Sequence, residues 1–176
     1  FDLIVTVPAT AQQRVIQRVF TKECLPNLRT LRVLIVENRG RDVAPWLVAT
    51  RPYQKDYDLF CHIHAKESYQ YGPGQGDNWR RYLYDNLIAH DAACDILQMF
   101  SENENIGCVF PKMFDLIEKI HRDNDIPLVG EFGEIHMIQD LLARMHLSTE
   151  FNREDLMFSI GTMLWYRPKA LQPLFD

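Results

Sequence analysis

The chain has 176 residues, 47% of them hydrophobic and 11% aromatic, which is enough for one well-buried domain and too few for two ordinary ones. The net charge of −5 is unevenly spread, since residues 1–81 hold 12 Lys and Arg against 8 Asp and Glu, and residues 82–176 hold 7 against 16. This composition excludes a disordered chain, a membrane-spanning segment of roughly 20 apolar residues and a long nucleic-acid-binding track, and it favours a small anionic ligand.

The first part of the chain predicts alternating strands and helices. Apolar runs predict strands at residues 3–7, 31–36 and 59–64, each separated by a segment with helical spacing. Thr10 and Gln13 fit a capping box for the first helix, whose apolar face would hold Val15, Ile16, Val19 and Phe20. A second, short helix is expected at residues 43–49. Strand, helix, strand, helix, strand in this order predicts an α/β fold with right-handed crossovers and a mostly parallel central sheet.

The second part of the chain begins with a glycine-rich stretch, residues 67–78, which predicts a mobile loop. Helices are then expected from residue 77 or 78 through Leu87, around residues 96–100 and at residues 135–145. Strands are expected at residues 106–110 and 157–165, the latter with a bulge or close approach at Gly161, before a closing helical turn at residues 168–174. No repeat appears, so residues 1–176 are read as a single domain. The start at Phe1, without an initiator Met, suggests a fragment of a longer polypeptide.

The segment of residues 38–42 follows the second predicted strand directly. It places two guanidinium groups, an amide, a carboxylate and a glycine beyond a strand end, in the residues Asn38, Arg39, Gly40, Arg41 and Asp42. Ligands of open α/β sheets bind beyond the carboxyl ends of the strands, so this segment predicts a site for a phosphorylated or nucleotide-like ligand. The alternative is a polar surface turn with a glycine at positive φ.

The third predicted strand ends in His62, His64 and Lys66, followed by Ser68. Strand alternation puts the two imidazoles on one face, where they can contact phosphate oxygens or bind a transition metal, and a lysine can neutralise phosphate charge. The alternative is a pair of hydrogen-bonded structural histidines. A histidine-triad hydrolase needs a third histidine at the position of Lys66, so this chain does not fit that family. The chain is also too short for an amidohydrolase barrel. A metal-dependent hydrolase built on His62 and His64 remains an open hypothesis.

Two further features concern single residue types. Trp79 is interpreted as a core residue, while Arg80 or the adjacent Arg81 can pair with a phosphate near a helix N-terminus. Four cysteines occur without a CxxC motif, and they are interpreted as reduced, buried thiols and not as a disulfide frame or zinc site: Cys24, Cys61, Cys94 and Cys108.

The order of these segments resembles the rhamnan synthesis F family, bacterial proteins implicated in building rhamnose-containing surface polysaccharides. The matching stretches span nearly the whole chain: F-D-L-I-V-T, E-N-R-G-R-D-V-A-P-W-L, Y-D-L-F-C-H-I-H-A-K-E-S, W-R-R-Y-L-Y-D-N-L, I-G-C-V-F-P and S-I-G-T-M-L-W-Y-R-P-K-A-L-Q-P-L. The resemblance implies a glycosyltransferase, a rhamnosyltransferase that uses a dTDP-rhamnose-like donor and a saccharide acceptor. It also implies a cytoplasmic location, at the inner face of the membrane through the parent protein.

The resemblance further implies a GT-A-like, three-layer fold that lacks its first strand in this chain. The donor would be bound by Asn38, Arg39, Gly40, Arg41, His62, His64, Lys66, Ser68 and Arg80. His62 and His64 stand where such enzymes carry Asp-x-Asp for the metal-diphosphate. Either Lys66 and one or both histidines would bind the diphosphate without a metal, or the two histidines would be ligands of a divalent metal, Mg²⁺ or Mn²⁺. The usual catalytic base would lie beyond Asp176, which leaves Asp42, Glu131 and Asp155 as catalytic candidates. The rival hypothesis is a non-catalytic nucleotide- or carbohydrate-binding module of a larger biosynthetic protein.

Overall fold

A computed structural model describes residues 1–65, 74–124, 134–148 and 158–176, except for the side chains of Ala11 and Glu134. The chain divides into two compact units, Phe1–Asp58 with Phe175, and Leu59–Leu174 with Asp176. The prediction of a single domain over residues 1–176 remains a prediction. Both units contain helices and strands, which confirms a mixed α/β fold.

The first unit contains a two-stranded parallel sheet. Its elements are β1 (Asp2–Val7), α1 (Thr10–Val19), β2 (Thr30–Ile35), α2 (Val43–Thr50) and a 3₁₀ turn (Arg51–Tyr53). Strands β1 and β2 are paired from Asp2 opposite Thr30 to Val7 opposite Ile35. This strand–helix–strand order therefore forms the parallel pairing that the sequence predicted.

The predicted apolar face of α1 is only partly confirmed, because Ile16 and Phe20 are half-buried whereas Val15 and Val19 are exposed. Gln13 donates from Nε2 to the main-chain oxygen of Val33 in β2 at 3.1 Å, and Ile16 lies half-buried on the same side. Val15 and Val19 are 58% and 54% exposed. The capping-box prediction is also wrong, because the N-cap residue is Ala9 and no side chain caps the helix. Gln13, the partner it required, is used by the sheet instead.

An ion-pair network joins the two strands of the first unit. The guanidinium of Arg29 donates to both carboxylate oxygens of Asp2, at 2.8 and 2.6 Å. The hydroxyl of Tyr57 donates to the same carboxylate at 2.6 Å and accepts a hydrogen bond from Arg32 at 3.3 Å. These hydrogen bonds, chiefly that from Arg29, hold the pKa of Asp2 well below its usual value.

The second unit contains a three-stranded sheet and most of the buried core. Its elements are β3 (Phe60–His62), α3 (Gln75–Leu87), α4 (Ala92–Glu102), β4 (Cys108–Val109), α5 (Asp115–Asp123), α6 (Glu134–Arg144), β5 (Leu164–Tyr166) and α7 (Pro168–Phe175). The buried cluster consists of Trp79, Leu83, Leu87, Ile96, Phe100, Ile117 and Met163. Trp79 is 4% exposed, which confirms its interpretation as a core residue.

Strand β5 is the centre of this sheet and runs antiparallel to both neighbours. Phe60 pairs with Tyr166 on one side, and Cys108 pairs with the same Tyr166 on the other. The described strands therefore form one parallel pair and one antiparallel sheet, and not the single, mostly parallel central sheet that was predicted. Side-chain alternation reports which face of a strand is buried, whereas strand direction depends on which partner the strand pairs with.

Arg167 connects β5 to the end of α4. Its guanidinium donates to the main-chain oxygens of Ile106 at 3.0 Å and Phe100 at 2.6 Å, and it lies over the Phe100 ring at 5.0 Å from the centroid. A cation at a helix C-terminus also interacts favourably with the helix dipole. Arg167 thus has a structural role at the helix end.

Candidate functional site

The loop between β2 and α2 places the predicted cationic segment at a helix N-terminus. Gly40 has φ +72° and Arg41 has φ +54°, and the Ala44 amide donates to the main-chain oxygen of Gly40 at 3.2 Å. Arg39 and Arg41 are exposed and Asp42, the N-cap residue of α2, is half-buried. Exposed guanidinium groups beside a helix N-terminus form an environment that favours anions.

Gly40 is required by this loop for two reasons. Its positive φ is a conformation that L side chains rarely adopt. A Cβ built at this position would also overlap the Cβ of Ala44, the second residue of α2. The glycine at positive φ belonged to the alternative interpretation of this segment, a polar surface turn, and that feature is confirmed. No sequence pattern indicated the close approach to Ala44.

The histidine pair lies in the second unit and contacts one turn. Nδ1 of His62 lies 2.6 Å from the main-chain oxygen of Thr162, and Nε2 of His64 lies 2.8 Å from that of Gly161. The two ring centroids are 6.0 Å apart. Residues His62 and His64 therefore share a side of the chain, as alternation predicted, although β3 itself ends at His62.

Two hydroxyl groups complete the surroundings of His64. The Thr162 hydroxyl oxygen lies 3.4 Å from Nε2 of His64, and the hydroxyl of Tyr84 donates to the main-chain oxygen of His64 at 2.9 Å. Burial raises the pKa of Tyr84, which keeps its phenol protonated and able to donate. Tyr84 thereby connects α3 to the chain segment that carries the histidines.

Arg80, the last described donor-site candidate, lies on the first turns of α3. Its guanidinium donates to Asp77 at 2.7 Å within the same helix, and both side chains are partly or largely exposed. This helix begins at Gln75, with Gly74 as its N-cap residue at φ +76°, three or four residues before the predicted cap, Asp77 or Asn78. Lys66, Ser68, Glu131 and Asp155 lie outside the described residues.

A known protein family matches the whole of this chain. The family described as rhamnan synthesis protein F matches residues 1–176. The chain belongs to this family.

Two curated relatives of the rhamnan synthesis F chain come from Xanthomonas campestris pv. campestris, one of them from strain B100. Both are named "Uncharacterized protein WxcX", and each is 28% identical over 141 residues, which is 80% of this chain and 18% of the relative. The chain therefore spans less than a fifth of the length of these relatives. No solved structure matches it.

The donor atoms around the histidines fit Mg²⁺ and Mn²⁺ poorly. Both ions prefer carboxylate, carbonyl and water oxygens, whereas the paired side chains here are imidazoles. In the four described ranges, no group of three or more His, Cys, Asp and Glu residues is arranged to hold a metal ion.

The turn that receives both imidazoles was missed by sequence reasoning. Residues 157–165 were predicted as one strand, but β5 begins only at Leu164, and Gly161 and Thr162 have φ +105° and +56°. Gly161 was the available signal, since a glycine in an apolar run marks a close backbone approach. The positive φ of Thr162 had no signal, because β-branched residues are unusual in that region.

Among the described helices of the chain, none is both long and apolar enough to cross a bilayer. The cysteine prediction was only partly right, because all four are free thiols but Cys24 and Cys94 are exposed. Burial raises the pKa of Cys61 to about 12. A thiol in that state is protonated at neutral pH and is a poor nucleophile.

Proposed function

We propose that this chain is part of a glycosyltransferase that builds a rhamnose-containing cell-surface polysaccharide. The observation that supports this most is the match of the rhamnan synthesis F family to the whole chain. The donor would be a dTDP-rhamnose-like nucleotide sugar, the acceptor a saccharide, and the fold a GT-A-like arrangement completed by the parent polypeptide. The reaction would take place in the cytoplasm, at the inner face of the membrane.

The loop of residues 38–42 is the better supported part of the donor site. It follows a parallel strand and precedes a helix, the position at which α/β proteins bind phosphorylated ligands. Arg39 and Arg41 are exposed there, and guanidinium groups bind phosphate oxygens through two parallel hydrogen bonds. In this proposal they bind the diphosphate, Gly40 allows its close approach, and Asn38 contacts the sugar.

In the second unit, the proposed donor-binding residues are His62 and His64, with Lys66 and Ser68 after them, and Arg80 is a further candidate for the diphosphate. The residues of the segment 161–167 would line the acceptor side. Lys66 would neutralise charge as a compact cation. These assignments rest on residue type and on the family resemblance.

The proposed chemistry is a displacement at the anomeric carbon of the donor sugar. A bond forms between the acceptor oxygen and the anomeric carbon while the bond from that carbon to the diphosphate oxygen breaks. A carboxylate takes the proton of the acceptor hydroxyl, and arginine side chains stabilise the negative charge on the departing diphosphate. Asp42, Glu131 and Asp155 are the candidates for this base within the chain.

Calorimetric titration tests the donor site. We expect dTDP and dTDP-rhamnose to bind the parent polypeptide, and Arg41→Ala to weaken binding by roughly tenfold or more, because a hydrogen bond to a charged group contributes about 1.5–3 kcal/mol. Arg18→Ala is the matched control, since Arg18 is an exposed arginine on α1 outside the loop. It should leave the affinity unchanged.

Three outcomes of this experiment are informative. Binding together with release of dTDP and transfer of sugar supports the glycosyltransferase. Binding without turnover by the intact polypeptide would favour the rival hypothesis of a non-catalytic binding module. A folded parent protein that binds neither nucleotide would refute the proposal.

A further inference from the structure

The two imidazoles contact the same turn through different ring nitrogens. His62 uses Nδ1, at 2.6 Å from the Thr162 oxygen, whereas His64 uses Nε2, at 2.8 Å from the Gly161 oxygen. Both acceptors are main-chain carbonyl oxygens, which have no hydrogen to donate. Each contacting nitrogen must therefore carry a hydrogen.

This requirement sets opposite tautomers in the neutral rings. A neutral imidazole has one N–H and one nitrogen with a lone pair. His62 then has its hydrogen on Nδ1 and its lone pair on Nε2, while His64 has its hydrogen on Nε2 and its lone pair on Nδ1. Neutral rings in these states can accept from a sugar hydroxyl or bind a transition-metal ion, whereas contact with a phosphate oxygen requires the imidazolium form.

We propose that the turn at Gly161 and Thr162 is a positioning element that fixes the tautomer and orientation of His62 and His64. Its importance for the donor rests on the function proposed above, but the tautomers themselves do not. Histidines at functional sites are commonly oriented in this way, by donating one N–H to a main-chain carbonyl. Gly161 and Thr162 are thus positioning residues.

The backbone of the turn is well suited to hold two carbonyls in one place. Gly161 at φ +105° and Thr162 at φ +56° are both in the left-handed half of backbone space, where a β-branched residue is strained. The Thr162 amide donates to the Ser159 oxygen at 3.0 Å, and the Ser159 hydroxyl donates to the Met163 oxygen at 2.7 Å. Directly afterwards, Leu164 in β5 pairs with His62 in β3, so the turn and the histidines are connected by the sheet.

The first test is ¹⁵N NMR of the full chain with labelled histidine at a pH where the rings are neutral. The nitrogen that carries hydrogen resonates well apart from the nitrogen that carries the lone pair. We expect Nδ1–H for His62 and Nε2–H for His64, assigned by single histidine substitutions. The same tautomer in both rings, or the reverse assignment, would overturn the proposal.

The second test exchanges each imidazole for an amide that reproduces one of its two N–H positions. The Asn side-chain nitrogen lies near the place of Nδ1, and the Gln nitrogen near that of Nε2. His62→Asn should therefore retain the bond to Thr162 while His62→Gln loses it, and the order should reverse at position 64. The mismatched variant of each pair should unfold about 2–4 °C lower than the matched one. An equal loss in both members of each pair would contradict the proposal.

Thr162→Gly separates the carbonyl from the hydroxyl. It keeps the main-chain oxygen, removes the hydroxyl near His64 and relieves the strain of φ +56°, so both tautomers should persist. Donor binding is measured on the same variants by calorimetry. Correct tautomers without donor binding would refute the proposed function alone, whereas donor binding with altered tautomers would refute the positioning role alone.

Discussion

At the scale of single residues, Gly40 has two constraints that can be measured separately. One is its φ of +72° and the other is the overlap that a Cβ would make with Ala44. We expect Gly40→Ala to destabilise the chain by about 2–4 kcal/mol, from roughly 1–3 kcal/mol of backbone strain and a similar cost of overpacking. Denaturant unfolding measures the change.

Two controls divide this effect into its parts. Gly74→Ala introduces a Cβ at φ +76° that has no atom of the described residues within 4 Å, its chain neighbours apart, so it should show the backbone strain without the overlap. In a double-mutant cycle, Ala44→Gly should recover part of the loss of Gly40→Ala, beyond its own cost of about 1 kcal/mol as a helix glycine. Additive effects in that cycle would contradict the close approach.

Residue patterns predicted the candidate site only where the signal was local. The glycine in residues 38–42 and the shared face of His62 and His64 could be read from strand ends and alternation. The partners of the histidines could not, because Thr162 is 100 residues from His62 along the chain. No local propensity reports a contact at that separation.

At the scale of elements, the network of Asp2, Arg29 and Tyr57 stabilises the pairing of β1 with β2. The folded-state pKa of Asp2 lies below its ordinary value of 3.8, so the folded state binds fewer protons than the unfolded state. This contribution is fully present above that value and is lost as the pH falls below it. We therefore expect the free energy of unfolding to decrease as the pH falls below about 4.

Asp2→Asn tests this pH dependence. The variant should be less stable than wild type at pH 7, and the difference should shrink as the pH is lowered through 3.8. Glu118→Gln is the control, since its ion pair with Arg122 is exposed and 3.9 Å long and such pairs contribute little. Parallel pH profiles for wild type and Asp2→Asn, measured by denaturant unfolding, would exclude the network as the cause.

The ends of β1, β2 and α2 were predicted to within one residue, whereas β3, β4 and β5 were predicted too long. Helix α5 was missed, although acidic residues in its first turn and His121 and Arg122 in its last turn are typical of helix termini. Val15 and Val19 of α1 were wrongly expected on the buried face. The helix is oriented in part by the hydrogen bond from Gln13 to β2, which a prediction from apolar spacing alone does not consider. Hydrophobic periodicity does not predict which polar side chains form hydrogen bonds to a neighbouring backbone.

At the scale of the whole molecule, the four cysteines lie in both units and differ in their exposure to solvent. Cys24 and Cys94 are exposed, whereas burial raises the pKa of Cys61 to about 12 and also raises that of Cys108. Because the thiolate is the reactive form, we expect two thiols to react rapidly with a maleimide at pH 7 and two slowly. Mass spectrometry with peptide mapping identifies them.

Each rapid site has a simple control, since Cys24→Ser and Cys94→Ser should each remove one fast equivalent. In denaturant all four thiols should react at similar rates. The labelling rate of Cys61 and Cys108 in the folded chain would then measure how often the three-stranded sheet opens, because these residues lie on its strands β3 and β4. Rapid labelling of Cys61 without denaturant would contradict its burial.

The turn at Gly161 and Thr162 has a consequence for the order in which the molecule can assemble. His62 and His64 leave the ribosome well before their acceptors, since 97 residues separate His64 from Gly161. At a synthesis rate of about 5–20 residues per second, the histidines wait roughly 5–20 s for the turn to be made. Strands β1 and β2, by contrast, are near neighbours in the chain and can pair early. The histidine pair is therefore among the last parts of this chain to take its final form, and any nascent polypeptide that ends before Gly161 carries it without the carbonyls that orient it.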